Sequence, residues 1–140
     1  MMIQGGLDES NEVVSSLHLF DLIECKWFKC EVNNKDLKVT ARECRSCVSN
    51  GDYCYLFGGE VSKIKNIKIK QNKHGIFNDL FKVSFSYSKE KGYQSNWILE
   101  NPITLLPPER SSHSCIFYDP EFLIITGGEG RDKSKQYLLL

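Results

Sequence analysis

Two cysteine pairs, Cys25-x4-Cys30 and Cys44-x2-Cys47, follow one another closely along the chain. Four thiolates at such spacings can close a tetrahedron around zinc. The competing reading makes them small apolar residues filling strands. Cys47 has a counterpart in Cys115, after which no partner cysteine follows, and Cys25 and Cys30 flank Trp27 on a predicted strand. The second reading is therefore followed, and no metal or other cofactor is expected. Arg42, Arg45 and Arg110 have a different chemistry available, since a guanidinium can grip a carboxylate with two parallel hydrogen bonds. The same groups can instead bond to backbone between packed sheets. Of the three histidines, His113 lies among hydroxyls in Arg110-Ser111-Ser112-His113-Ser114-Cys115, but adjacency in sequence does not make a catalytic triad. His18 precedes a predicted strand face and His74 falls in a lysine-rich stretch. No phosphate-binding loop, HExxH or EF-hand pattern occurs. The expectation is a non-enzymatic protein.

Lys63, Lys65, Lys68, Lys70 and Lys73 form that lysine-rich stretch, with no acidic residue among them. They could meet phosphate, RNA or acidic lipid, or simply keep a loop solvated and an edge strand unpaired. Over the whole chain, 18 basic residues balance 18 acidic ones. The zero net charge removes any global argument for nucleic acid or an anionic membrane.

The elements that must position these residues are strands. The 140 residues suit one domain or part of a larger one, and 41% hydrophobic with 26% charged residues is a globular balance. Alanine, the best helix former, occurs once, at Ala41, whereas Phe, Tyr and Trp reach 11%. The N-terminus has no basic start or apolar run of a secretory signal, and the apolar stretches are far shorter than the roughly 20 residues of a membrane helix. Cysteines are too sparse for a disulfide scaffold. A cytoplasmic location follows as the expectation, a nuclear one being compatible with it.

Internal repetition gives the organisation. Glycine doublets Gly5-Gly6, Gly58-Gly59 and Gly127-Gly128 each end an apolar run. Arg42-Glu43-Cys44-Arg45-Ser46-Cys47 precedes the second doublet and Arg110 to Cys115 the third, with Arg, Ser and Cys at identical offsets. The interval from Trp27 to Gly58 matches that from Trp97 to Gly127 to within one position. The interval from Gly59 to Trp97 is much longer than that from Gly6 to Trp27, which locates an insertion at 61–77, where the lysines cluster. Each unit reads as four short strands. Strands at 46–49 and 53–57 enclose Ser49-Asn50-Gly51-Asp52, a strong hairpin signal. Third strands are expected at 17–22, 80–87 and 136–140, and fourth strands at 26–32 and 97–100. Phe81, Val83, Phe85 and Tyr87 share one face at period two.

Arg-x-x-His-Ser, a strand ending in Gly-Gly, Asn78-Asp79-Leu80-Phe81 and a tryptophan together resemble the kelch repeat. The resemblance implies an all-β fold of four-stranded antiparallel blades of a β-propeller. It divides the chain into a partial blade 1–35, a full blade 36–104 carrying the insert 61–77, and a partial blade 105–140. About two and a half blades are too few for a closed ring, so an incomplete propeller, a fragment of a larger one, is expected. Glycine would permit the turns, and Trp27 and Trp97 would fill wedges between sheets. The resemblance further implies a protein-interaction module, such as a substrate adaptor or cytoskeletal scaffold. Its partner would be another protein or peptide, and self-association or blades supplied by another chain would cover the open ends. Arg42, Arg45, Arg110, His113 and Ser114 are the candidate binding residues. Some kelch propellers carry copper or iron enzymes, which is the alternative from a different class.

Overall fold

A computed structural model describes residues 1–34, 37, 39–61, 75–102 and 107–130, together with the backbone of Leu138–Leu139. The lysine cluster and His74 lie outside the described residues. Those described are all β, with no helix among them. The strands are β1 (Met2–Gln4), β2 (Leu17–Asp21), β3 (Lys26–Lys29), β4 (Glu31–Val32), β5 (Ser46–Asn50), β6 (Tyr53–Phe57), β7 (Leu80–Ser88), β8 (Gly92–Glu100), β9 (Arg110–Asp119), β10 (Phe122–Gly130) and β11 (Leu138–Leu139). They form three sheets, ordered β1-β2-β3, β4-β8-β7-β6-β5 and β11-β10-β9.

Alternation along the strands explains the stacking. In β6, Leu56 and Phe57 are both buried but point to opposite faces. Leu56 joins Phe81, Val83 and Trp97 against Leu17 and Cys30 of the first sheet and its continuation. Phe57 joins Leu80 against Leu123 and Ile125 of the third sheet. The middle sheet is thus covered on both faces. Aromatic pairs cross both seams, Phe28 with Tyr93 and Tyr55 with Phe117, each with ring centroids 5.0 Å apart.

The expected strand 26–32 is corrected by the structure. It divides at Cys30, whose side chain is buried between the sheets. Residues before Cys30 close the first sheet as β3, whereas β4 runs parallel to β8 on the edge of the second sheet. Asn34 extends this pairing with its side chain. Its Oδ1 accepts from the Trp97 N–H at 3.0 Å and its Nδ2 donates to the Trp97 carbonyl at 2.6 Å. The amide therefore imitates one more residue of strand and satisfies an edge that would otherwise be bare.

The tryptophans also part company. Trp97 is 3% exposed, set edge-on to Phe81, and donates its Nε1–H to Ser95 Oγ at 3.0 Å. Trp27, expected to be equally buried, is 48% exposed and rests on Phe20 of its own sheet. Most of the expected insertion 61–77 lies outside the described residues, but its flanks are seen. The Val61 N–H donates to the Gly75 carbonyl at 2.8 Å and Glu60 pairs with Ile76, so the chain leaves and re-enters at one closed stem.

Replacing Trp97 with alanine should cost about 3–5 kcal/mol, the range for large buried aromatics. Trp27→Ala should cost only about 1 kcal/mol, the size of a single aromatic contact. Urea denaturation of both variants measures the difference, and equal losses would contradict the packing described.

Candidate functional site

The chemistry-bearing residues gather along the seams, and the glycine doublets determine how. The first glycine of a doublet turns the chain with φ near +71° at Gly5 and +59° at Gly58, a region where side chains are strained. At both positions an added Cβ would strike an arginine carbonyl of the next unit, that of Arg42 at Gly5 and that of Arg110, 2.5 Å away, at Gly58. The second glycine then bonds to the same carbonyl. Gly6 N–H donates to Arg42 O and Gly59 N–H to Arg110 O, both at 3.0 Å.

Each arginine side chain turns the other way, onto the doublet of its own unit. Arg42 Nη1 donates to Gly58 O at 3.2 Å, and Arg110 Nη1 donates to Gly127 O at 2.9 Å. The arginines thus link successive doublets in a row. Both are buried, at 3% and 6% exposure. Arg42 is held further by a bidentate pair with the Asp79 carboxylate, its Nη2 lying 2.6 Å from Oδ2, and its guanidinium stacks 3.5 Å above the Phe77 ring centroid. Arg110 Nε donates to Pro108 O. Burial lowers the pKa of Arg110. Two residues after each arginine, Cys44 and Ser112 both take positive φ, and the Ser112 N–H donates to the Cys44 carbonyl. The local backbone repeats with the sequence.

The fourth position of the motif reaches back to the preceding sheet. His113 Nε2 lies 2.5 Å from Ser46 Oγ, and its ring stands edge-on to Phe57. Burial, and then the charge of Arg110, bring its pKa down to about 4. Arg45 occupies the same offset one unit earlier. Its Nη1 donates to Gln4 Oε1 at 3.1 Å and its Nε to Gly58 O at 3.2 Å. Burial first, and the neighbouring Arg42 second, lower its pKa to about 10. Asp79 bonds to Arg42, while Arg45 Nη2 and Gln4 Nε2 are buried with no hydrogen-bond partner. Ser114 is exposed.

Among the sequence candidates, then, Arg42, Arg45, Arg110 and His113 share the seams and Ser114 stands apart from them. The zinc reading of Cys25, Cys30, Cys44 and Cys47 is corrected. Cys25 sits in the exposed β2–β3 turn, Cys30 is in the core, and Cys44 and Cys47 are exposed on the second unit. Among the described residues no three His, Cys, Asp or Glu side chains converge on a point. Sequence reasoning used Asp79 and Ser46 only as repeat markers and passed over Gln4 and Cys54. For Asp79 a signal existed, an acid just before a third strand whose unit also supplies buried arginines.

No family model matches the chain. A Kelch repeat-containing protein of Arthroderma benhamiae is similar to it, 23% identical over 146 residues that cover 94% of the chain. The chain spans about a fifth, 19%, of the length of that relative. At this distance the similarity supports a kelch-like relationship together with the all-β architecture.

Two outcomes follow from the seam. Gly58→Ala carries a left-handed strain of ~1–2 kcal/mol together with a backbone clash of ~1–3 kcal/mol. Gly127→Ala, where nothing lies within 4 Å of the added Cβ, carries the strain alone. Chemical denaturation should separate the two variants, and equal midpoints would sink the stitching argument. For His113, the unfolded pKa near 6.5 exceeds the folded value of about 4. The unfolded chain therefore binds a proton that the folded chain refuses. The contribution is full above pH 6.5 and declines as pH falls toward 4, by up to ~1.4 kcal/mol per pH unit. Urea midpoints should fall further between neutral and mildly acidic pH for wild type than for His113→Gln, and parallel losses would exclude this role.

Proposed function

We propose that the chain is a non-enzymatic interaction module of kelch type, part of a β-propeller whose blades are the three sheets. Arg45 would be its contact for an acidic side chain of a partner protein. The observation that carries this reading is the unequal treatment of the two neighbouring arginines. Each keeps one buried nitrogen without a partner, Nε in Arg42 and Nη2 in Arg45, but Arg42 has the Asp79 carboxylate whereas Arg45 has only neutral oxygens, those of Gly58 and Gln4, beside the unpartnered amide of Gln4. An unpaired donor in a low-dielectric setting costs about 1–3 kcal/mol, which a carboxylate accepting from it would recover. A second positive charge held close to the first raises the demand for an anion. The kelch-like relative supports a binding role of this general kind.

Selection from a random peptide library provides the test. Bound peptides should be enriched in Asp and Glu, and Arg45→Ala should lose at least about tenfold in affinity, the scale of one charge-assisted hydrogen bond. Arg45→Lys should retain part of it. Neutral or basic peptides bound equally by wild type and Arg45→Ala would overturn the reading.

A further inference from the structure

The seam between the first and second sheets holds a cavity of about 760 Å³ that takes no part in the arginine stitching. Met2, Leu19, Phe28 and Phe85 give it apolar walls, and two sulfurs, those of Cys47 and Cys54, also line it. In the β5–β6 hairpin Cys47 faces Leu56 and Cys54 faces Ser49. This register puts both thiols on one face, two residues apart along the strand direction, and that face is the one carrying Leu56 into the first seam. The two are diagonal neighbours across the hairpin and line the same cavity. Cys54 is half-buried and Cys47 more open.

We propose that Cys54 is a covalent modification site for soft electrophiles bearing an apolar tail, α,β-unsaturated carbonyls being the class that fits, with Cys47 as its positioning residue. The Cys54 thiolate adds to the β-carbon, forming a C–S bond while the carbon–carbon π bond breaks. The electron pair passes to the carbonyl oxygen as an enolate, which takes up one proton at the α-carbon from the Cys47 thiol or from water. Thiol and enone together give a thioether, and no oxidant enters.

The surroundings favour this sulfur over the others. The neighbouring Cys47 lowers the pKa of Cys54, opposed by desolvation and assisted by the α-amino group of Met1, while Cys47 is raised in exchange. Arg45 and Cys115 act on Cys47, and Asp21 and Tyr93 are the remaining titratable groups at the cavity wall. Cys25 and Cys44 are exposed and are not among the residues lining this cavity, Cys30 is buried, and burial raises Cys115.

The probes are N-methylmaleimide and N-octylmaleimide, with each cysteine followed by peptide mass spectrometry on the folded chain. Cys54 should react first, and its rate should rise on the order of tenfold from methyl to octyl as the tail enters the cavity, with Cys25 and Cys44 nearly indifferent to tail length. In Cys47→Ala the pH midpoint for labelling Cys54 should climb toward the ordinary thiol value of about 8.5, and Cys47→Ser should restore part of the shift. Preferential labelling of Cys25 or Cys44 by the octyl reagent, or a Cys54 rate independent of tail length, would overturn the site. An unchanged midpoint in a folded Cys47→Ala would remove the positioning role. Should that variant fail to fold, the tail-length series on wild type still decides the site.

Discussion

An arginine carbonyl docked onto a glycine turn is the contact from which the rest of this structure follows. The carbonyl approaches so closely that a Cβ on the first glycine cannot coexist with it. The second glycine supplies the hydrogen bond, and the side chain of the same arginine then caps the next doublet. One residue therefore satisfies two backbone groups on two different turns. With these fixed, the sheets pack against one another and the alternating Leu56 and Phe57 are committed to opposite seams. The hydrophobic burial supplies most of the driving force, but it is nondirectional. Direction comes from the stitching, which leaves little freedom in how one sheet meets the next.

Much of this is legible in the sequence because the repeat is a spacing, and spacing survives when side chains vary. The doublet turns, the Asn50-Gly51 hairpin and the alternation from Phe81 to Phe85 all appear in the structure. What is not legible depends on partners distant in sequence. Trp27 and Trp97 look equivalent as letters, and only the sheet placed against each tells them apart. The transfer of Glu31–Val32 to the neighbouring sheet is decided by Asn34 and Ser95, 64 residues from Glu31 in the case of Ser95. Two arginines three residues apart give no hint that Arg42 finds Asp79 while Arg45 finds only amide and carbonyl oxygens. Cys54 carries no signal as a letter, since its significance lies in the cavity and in Cys47 across the hairpin.

The same economy separates scaffold from surface. Arg42, Arg110, His113 and Ser46 look reactive on paper, yet each has at least one polar group tied into the seams that bury them. Chemistry is left to groups that the repeat does not require. Gln4 and Arg45 replace what is a serine–histidine contact one seam later, and Cys54 occupies a strand position with no motif attached. In a repeated fold, departures from the repeat are where individual behaviour can reside.

The transfer of β4 has a mechanical meaning. Between the first and second sheets the covalent chain crosses the seam and then pairs with β8, so pulling those sheets apart requires stripping a strand as well as opening a core. Between the second and third sheets the described residues offer carbonyl docking, the His113–Ser46 contact and the Phe57 cluster, but no strand shared by both. The array is consequently polar, with one laced joint and one clasped joint. Under force or partial denaturation it would part at the clasp, releasing the third sheet while the first two remain a single cooperative body.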